Sequence, residues 1–291
     1  MPDTLSIENL TLEIKGKKIL NFDRSLVVEN GDVVAILGPN GAGKSTFVNC
    51  LIGQMPFEGI ISKSYGVEDV GILFQNNNYG ELIKVNELIS LVTQKALSSP
   101  VVRAMIEKFD LTDMLNTRVG KLSKGEQQRL SLALILSRDQ KLLIFDELTT
   151  GLDFEKRRDL LTIVKENSIG KTVLLVTHYF EEIFNWAKKI LLLDKGNIVF
   201  WGTIEEFLLE HEHTSTILIP KEHVPSVKGI LNSCKDVYFI EDYEGSFCGI
   251  LVNAEKEASY IKSHIKRHGL EYAERPADFY SAYKLALIKR R

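Results

Sequence analysis

The nine residues Gly38-Pro39-Asn40-Gly41-Ala42-Gly43-Lys44-Ser45-Thr46 decide what this chain folds around, because their chemistry can be read before anything else. They follow an apolar run, Val33 to Leu37, that reads as a buried strand, and Lys44 to Ile52 can start a helix where the glycines end. Glycines at 38, 41 and 43 let the backbone curl so that successive N–H groups point at phosphate oxygens, with the positive end of the helix dipole behind them. Such a loop holds a nucleoside triphosphate. Lys44 then reaches the β- and γ-phosphates, and the Ser45 hydroxyl binds Mg²⁺.

Working outward toward the N-terminus, Leu5 to Asp32 alternates apolar and polar residues, with turns at Lys15-Gly16-Lys17-Lys18 and Glu29-Asn30-Gly31-Asp32. That pattern predicts an antiparallel β-subdomain feeding the strand that carries the loop. On the other side, Gly59 to Ile61 and Gly71 to Phe74 read as short strands, the second ending at Gln75. From Glu81 to about Ile135 apolar residues recur at intervals of three and four, which predicts a helical insert. The insert ends in Leu122-Ser123-Lys124-Gly125-Glu126, where Ser123 can cap a helix and Gly125 leaves first-turn amides open. On its own this stretch also reads as a plain capped helix.

Two further strands end in chemistry-bearing residues. Lys141 to Phe145 closes on Asp146-Glu147, and a side-chain period of two predicts that these acids face opposite ways, Asp146 toward Mg²⁺ and Glu147 toward the incoming water. Two acids at a solvated strand end are the plain alternative. Thr172 to Thr177 ends at His178, either a satisfied structural histidine or a γ-phosphate contact delivered to the crevice of an open parallel sheet.

Composition bounds the rest. At 291 residues, with 44% hydrophobic and 26% charged residues, the chain suits one large or two modest globular domains. It has no apolar run of about 18 residues, so no membrane span is expected. Its acidic opening residues show no secretory-signal pattern, so a cytosolic location is expected. A net charge of −3 argues against nucleic acid as a partner. Cys50, Cys234 and Cys248 are odd in number and lack metal-ligand spacing, so they are expected reduced and buried. Past His211, segments at 215–219, 236–240 and 247–252 read as strands and 224–234 and 255–268 as helices, followed by a short closing helix whose Phe279, Tyr283 and Leu287 share one stripe.

In this order the motifs over the first 210 or so residues make the chain similar to the ATP-binding subunits of ABC transporters. The phosphate loop matches Walker A, Gln75 the Q-loop, Leu122 to Glu126 the signature, Leu142 to Glu147 Walker B, the segment through Asp153 the D-loop, and His178 the switch histidine. The resemblance implies an α/β P-loop NTPase cassette over 1–211, with a RecA-like core, an antiparallel β-subdomain and a helical subdomain near 81–135. A small C-terminal α+β domain follows over 212–291.

It also implies ATP and Mg²⁺ as ligands, with Ser45, Gln75 and Asp146 around the metal and Glu147 and His178 as the hydrolytic pair. Ser123, Lys124, Gly125 and Glu126 would contact ATP across a pair of cassettes, identical or not, with Asp153 coupling the two sites. The pair would work on a membrane permease, peripheral to the cytoplasmic face of the cell membrane. The last 80 residues resemble those of drug, antibiotic and bacteriocin exporters, so export is the expected direction. Departures are Ile14 where an aromatic usually stacks on adenine, LSKGE where LSGGQ is commonest, Leu148 where proline is usual, and Tyr179 where aspartate often follows the histidine.

Overall fold

The computed structural model describes residues 5–74, 79–184 and 186–289, and the chain divides into two compact units, Met1–Trp201 and Gly202–Arg291. In the first, strand β1 (Leu5–Ile14) pairs antiparallel with β2 (Lys17–Asn21), β3 (Leu26–Val28) and β5 (Glu58–Lys63). The first turn is shorter than its four-residue signal. Lys15 and Gly16 both take positive φ, and Lys17 is already in β2, paired with Ile14. Such a two-residue turn matches the twist of the strands it joins.

A six-stranded sheet forms the core, in the order β10 (Asn197–Thr203), β9 (Lys189–Asp194), β4 (Val33–Leu37), β8 (Thr172–Val176), β7 (Leu142–Asp146), β6 (Val70–Leu73). β9, β4, β8, β7 and β6 run parallel. Every residue of β4, β7 and β8 is buried, as parallel strands covered on both faces require. At the N-terminal end of β4, Asp32 accepts from the Glu29 amide at 3.0 Å and from Lys189 Nζ at 2.6 Å, fixing the turn that feeds the strand.

Helix α1 (Lys44–Leu51) packs Phe47, Val48 and Leu51 into a core shared by both sheets. The helical insert holds α2 (Val85–Thr93), α3 (Pro100–Lys108) and α4 (Lys124–Leu136). α2 is shorter than its periodicity suggests, because Lys84 bridges to Arg118 in extended backbone and Gln94 turns left-handed at φ 53°. The segment Thr112–Met114 is one 3₁₀ turn. Helices α5 (Phe154–Asn167) and α6 (Phe180–Phe184) follow β7 and β8. Among the described residues no helix is long and apolar enough to cross a membrane.

The second unit begins with α7 (Ile204–Glu210) and continues β11 (Ser215–Pro220), α8 (Val224–Leu231), β12 (Val237–Glu244), β13 (Phe247–Val252), α9 (Glu255–Arg267), β14 (Ala273–Pro276) and α10 (Phe279–Lys289). Its sheet order is β12-β13-β11-β14, a split βαβ arrangement of the ferredoxin-like kind. Alternation along β11 explains its two covered faces. Ile217 and Ile219 pack with Val227, Ile261 and Ile265 of α8 and α9, while Leu218 packs with Leu285 of α10. The closing helix departs from the expected stripe: Phe279 and Tyr283 are buried but Leu287 is only half-buried, while Leu285 and Ala286 are enclosed. All three cysteines are free, Cys50 and Cys248 buried and Cys234 half-buried.

His211 and His213, both buried, donate from Nδ1 to the carbonyls of Phe207 at 2.9 Å and His211 at 3.1 Å. Burial pushes both imidazoles below the ordinary value of 6.5. The unfolded chain therefore binds more protons just below that pH, and the contribution of these residues to stability is lost as pH falls through it. Protection factors of the β11 and β13 amides, taken relative to the intrinsic rate at each pH, are expected to fall between pH 7.5 and 5.5, measured against His211→Gln. Protection that rises on acidification in the parent chain contradicts this.

Candidate functional site

Parallel topology gathers the site. β4, β7 and β8 are neighbours in one sheet, so their C-terminal ends deliver Gly38, Asp146-Glu147 and His178 to one edge. Gln75, the expected residue beyond β6, and the following Asn76 lie outside the described residues.

The loop from Gly38 to Gly43 turns on positive φ at Gly38 (145°), Gly41 (78°) and Gly43 (102°). It is braced by the β9–β10 hairpin, whose Gly196 amide donates to the Ala42 carbonyl at 2.9 Å. Lys44 Nζ donates to Gly38 O at 2.7 Å and Pro39 O at 3.1 Å, arching back over the loop. An ammonium has three donors, so two such bonds leave one for a ligand. Burial pushes the Lys44 ammonium below its ordinary range, opposed by the negative charges of Glu147 and Asp146. For the buried Asp146 carboxyl, desolvation raises the pKa against the lowering effect of a hydrogen bond with Ser45. A serine hydroxyl and a carboxylate in contact beside a phosphate loop are the hard oxygen donors Mg²⁺ takes, so the residues present fit that ion.

Glu147 corrects the reading that placed the two acids on opposite faces. The strand ends at Asp146, and Glu147 takes a left-handed conformation, φ 55°, with its amide donating to Val176 O at 2.9 Å. Period-two alternation does not extend past the strand, so both carboxyls remain at the same edge, close enough to raise Asp146 and hold Lys44 charged. A non-glycine residue in this region is uncommon and costs of order 1 kcal/mol or more, which neighbouring structure must offset. Here Thr150 Oγ1 donates to Glu147 Oε2 at 3.1 Å, and His178 Nδ1 lies 3.8 Å from Oε1. Tyr179 replaces an acid but is engaged, its ring 4.1 Å from that of His178 and 3.6 Å beneath the Arg157 guanidinium. Leu148 is fully buried.

The signature forms a second cluster, in a groove shared with the D-loop segment Gly151 to Lys156. Ser123 caps α4 through a reciprocal pair: its Oγ accepts from the Glu126 amide at 3.4 Å, and Glu126 Oε2 accepts from the Ser123 amide at 2.7 Å. Ser123 and Glu126 stand at the S-x-x-E spacing of a capping box, a sequence-level mark of a helix start. The same bonds hold the Glu126 carboxyl below its usual range. Asp153 caps α5, accepting from the Lys156 amide at 3.0 Å. Ile14, at the end of β1, is exposed.

A parallel sheet with a phosphate loop after one strand and paired acids after another defines a P-loop nucleoside triphosphatase. The family model described as ABC transporter matches residues 22–150. The thiamine import ATP-binding protein ThiQ of Salmonella choleraesuis is 32% identical over 216 residues, covering 69% of this chain and 92% of that protein. The methionine import ATP-binding protein MetN of Clostridium acetobutylicum is 29% identical over 227 residues, 70% of each chain.

Among solved structures, a bacterial Atm1-family ABC exporter with ATP bound superposes with a TM-score of 0.65 at 26% identity, over 72% of this chain and 40% of that one. An ATP binding subunit of an ABC transporter gives 0.63 at 25% identity, over 71% and 92%. The chain belongs to the ATP-binding proteins of ABC transporters and is an ATPase of that class. The expectation of an exporter is not supported by these curated relatives, whose names specify import. It rested on the last 80 residues, whereas each of these relatives matches no more than 70% of the chain.

Proposed function

We propose that this chain is the energy-coupling subunit of a membrane transporter, hydrolysing ATP in a pair of cassettes that drives a separate permease. The observation that carries it is the convergence of Lys44, Ser45, Asp146, Glu147 and His178 on one sheet edge, with the signature in a different groove. A lone chain thus offers two half-sites, which a head-to-tail pair would join, with Ser123 to Glu126 facing the partner's phosphate loop.

In each completed site Lys44 keeps its two loop bonds and turns its remaining N–H to the β- and γ-phosphates. Ser45 and Asp146 would hold Mg²⁺, which would supply charge neutralisation of the phosphate oxygens. Glu147 takes a proton from the attacking water as its oxygen bonds to the γ-phosphorus, the bridging bond breaks, and the electron pair leaves with ADP. His178 holds the γ-phosphate in line. Gln75 belongs to the same shell in this reading. Residues 1–211 form the cassette and 212–291 an accessory domain, and Asp153 shifts from capping α5 to coupling the two sites.

The names of the curated relatives favour uptake over export. The test is crosslinking of the full chain in its native cells with ATP present. Stoichiometric recovery of a protein with several apolar spans is expected, whereas ribosomes or DNA in its place overturn the transporter reading.

Selectivity for the base is expected to be loose. Ile14 offers adenine an apolar contact without the stacking worth about 1 kcal/mol that an aromatic ring provides. GTP and ATP should be hydrolysed at rates within about an order of magnitude, and Ile14→Tyr should widen that gap. A preference for ATP of roughly a hundredfold in the parent chain means that another residue reads the base.

A further inference from the structure

The hydrolytic site rests on a carboxyl that no step above uses. Glu182, in α6, is fully buried, as is Thr149, whose Oγ1 donates to Glu182 Oε1. Burial pushes this carboxyl above its usual range, opposed by the hydroxyls of Thr149 and Thr177 and by the charges of Arg157 and His178. Among the described residues Oε2 has no hydrogen-bond partner of ordinary geometry. A carboxyl in such a place is costly, and an apolar side chain would fill the same space without that cost, so the group needs a role other than packing.

Its neighbours in the chain indicate the role. Thr149 immediately precedes Thr150, which donates to one oxygen of Glu147. Thr177 immediately precedes His178, which faces the other. Thr177 accepts from the Tyr179 amide at 3.0 Å, which closes the turn around His178.

We propose that Glu182 is a positioning residue for hydrolysis: its buried carboxyl ties Thr149, after β7, to α6, which follows His178 after β8, and thereby sets Thr150 and His178 on the two oxygens of Glu147. The proposal rests on the roles given above to Glu147 and His178. Glu182 touches neither nucleotide nor water in this scheme. It links the loop after β7 to the loop after β8, so that the base and the histidine keep one mutual geometry while the cassettes open and close.

The experiment uses the full chain with Mg-ATP, measuring steady-state turnover and the affinity for a fluorescent ATP analogue in Glu182→Leu, Glu182→Gln and Thr149→Val. Misplacing a catalytic group by an ångström costs on the order of 100-fold, so Glu182→Leu and Thr149→Val should lower kcat about 10- to 100-fold. Nucleotide affinity should stay within about threefold, as expected for an interaction that matters only in the transition state. Glu182→Gln, which can still accept from Thr149, should retain at least about half of wild-type turnover, and adding Thr149→Val to Glu182→Leu should cost little more.

Leucine and valine variants turning over within about twofold of wild type overturn the proposal, as do kcat and affinity falling together without rescue by glutamine. Should Glu182→Leu not fold, Thr149→Val decides by the same criteria. A wild-type chain without turnover overturns the hydrolase reading itself, and is distinguished by the silence of every variant.

Discussion

Glu147→Gln is expected to bind ATP as the parent does and to hydrolyse it at less than about a hundredth of the parent rate, the loss associated with removing a positioned general base. The amide has the same shape, so Thr150 keeps a partner and the backbone keeps its left-handed turn, anchored by the bond from the Glu147 amide to Val176 O. What disappears is the capacity to take a proton from water. Binding depends on the phosphate loop and Lys44, which lose only one of the two carboxylates that help hold the lysine charged. Pairing through bound ATP should therefore outlast turnover, and gel filtration with Mg-ATP should show a dimer for Glu147→Gln that the parent releases. Phosphate release above about a tenth of the parent rate assigns the base to another residue.

What the sequence made legible was local. Gly38 to Thr46 announces its own geometry, because glycines take the positive φ of the curl, up to 145° at Gly38, without the cost a Cβ carries. The apolar runs of β4, β7 and β8 announce burial on both faces, as parallel strands do. Where the strand pattern stopped, so did its rule. Period-two alternation would separate Asp146 from Glu147 only if the strand continued, whereas the bond to Val176 O turns the backbone at once. The C-terminal unit is a second case. Its helices and three of its strands follow from periodicity, but β14 has the sequence Ala-Glu-Arg-Pro and no apolar residue beyond alanine, so nothing local marks it as a strand. It exists because β11 offers it a partner, Ser215 opposite Pro276 through Leu218 opposite Ala273. Non-local pairing of this kind also hid the split βαβ order.

Glu182 escaped for a related reason. As a charged residue two positions beyond Phe180, it reads as the solvated face of a short helix, and only the convergence of β7 and β8 brings Thr149 onto it. The site is thus legible where the chemistry is held by contiguous residues. It becomes illegible where the supporting shell is assembled from different strand ends.

The largest structural effect is expected at Gly38, where the loop leaves β4. A Cβ there would lie 2.2 Å from the backbone carbonyl oxygen of Leu193 and 3.0 Å from Ala42 Cβ, on a backbone at φ 145° that residues with a Cβ rarely adopt. Neither obstacle is a flexible side chain. The Leu193 carbonyl belongs to β9, which pairs with β4 in the middle of the sheet, so the loop itself must move. Gly38→Ala should then lose measurable ATP binding and destabilise the first unit by about 3 kcal/mol or more, the range of severe single substitutions with a named steric cause. Gly41→Ala isolates the conformational part of that cost. Gly41 has positive φ, 78°, but nothing within 4 Å of an added Cβ, so only the strain of a left-handed alanine applies, about 1 kcal/mol. Denaturant unfolding of the two variants with and without Mg-ATP separates the terms. Nucleotide should still stabilise Gly41→Ala and should do nothing for Gly38→Ala. If Gly38→Ala unfolds with Gly41→Ala and both are stabilised by nucleotide, the loop does not depend on close approach to β9.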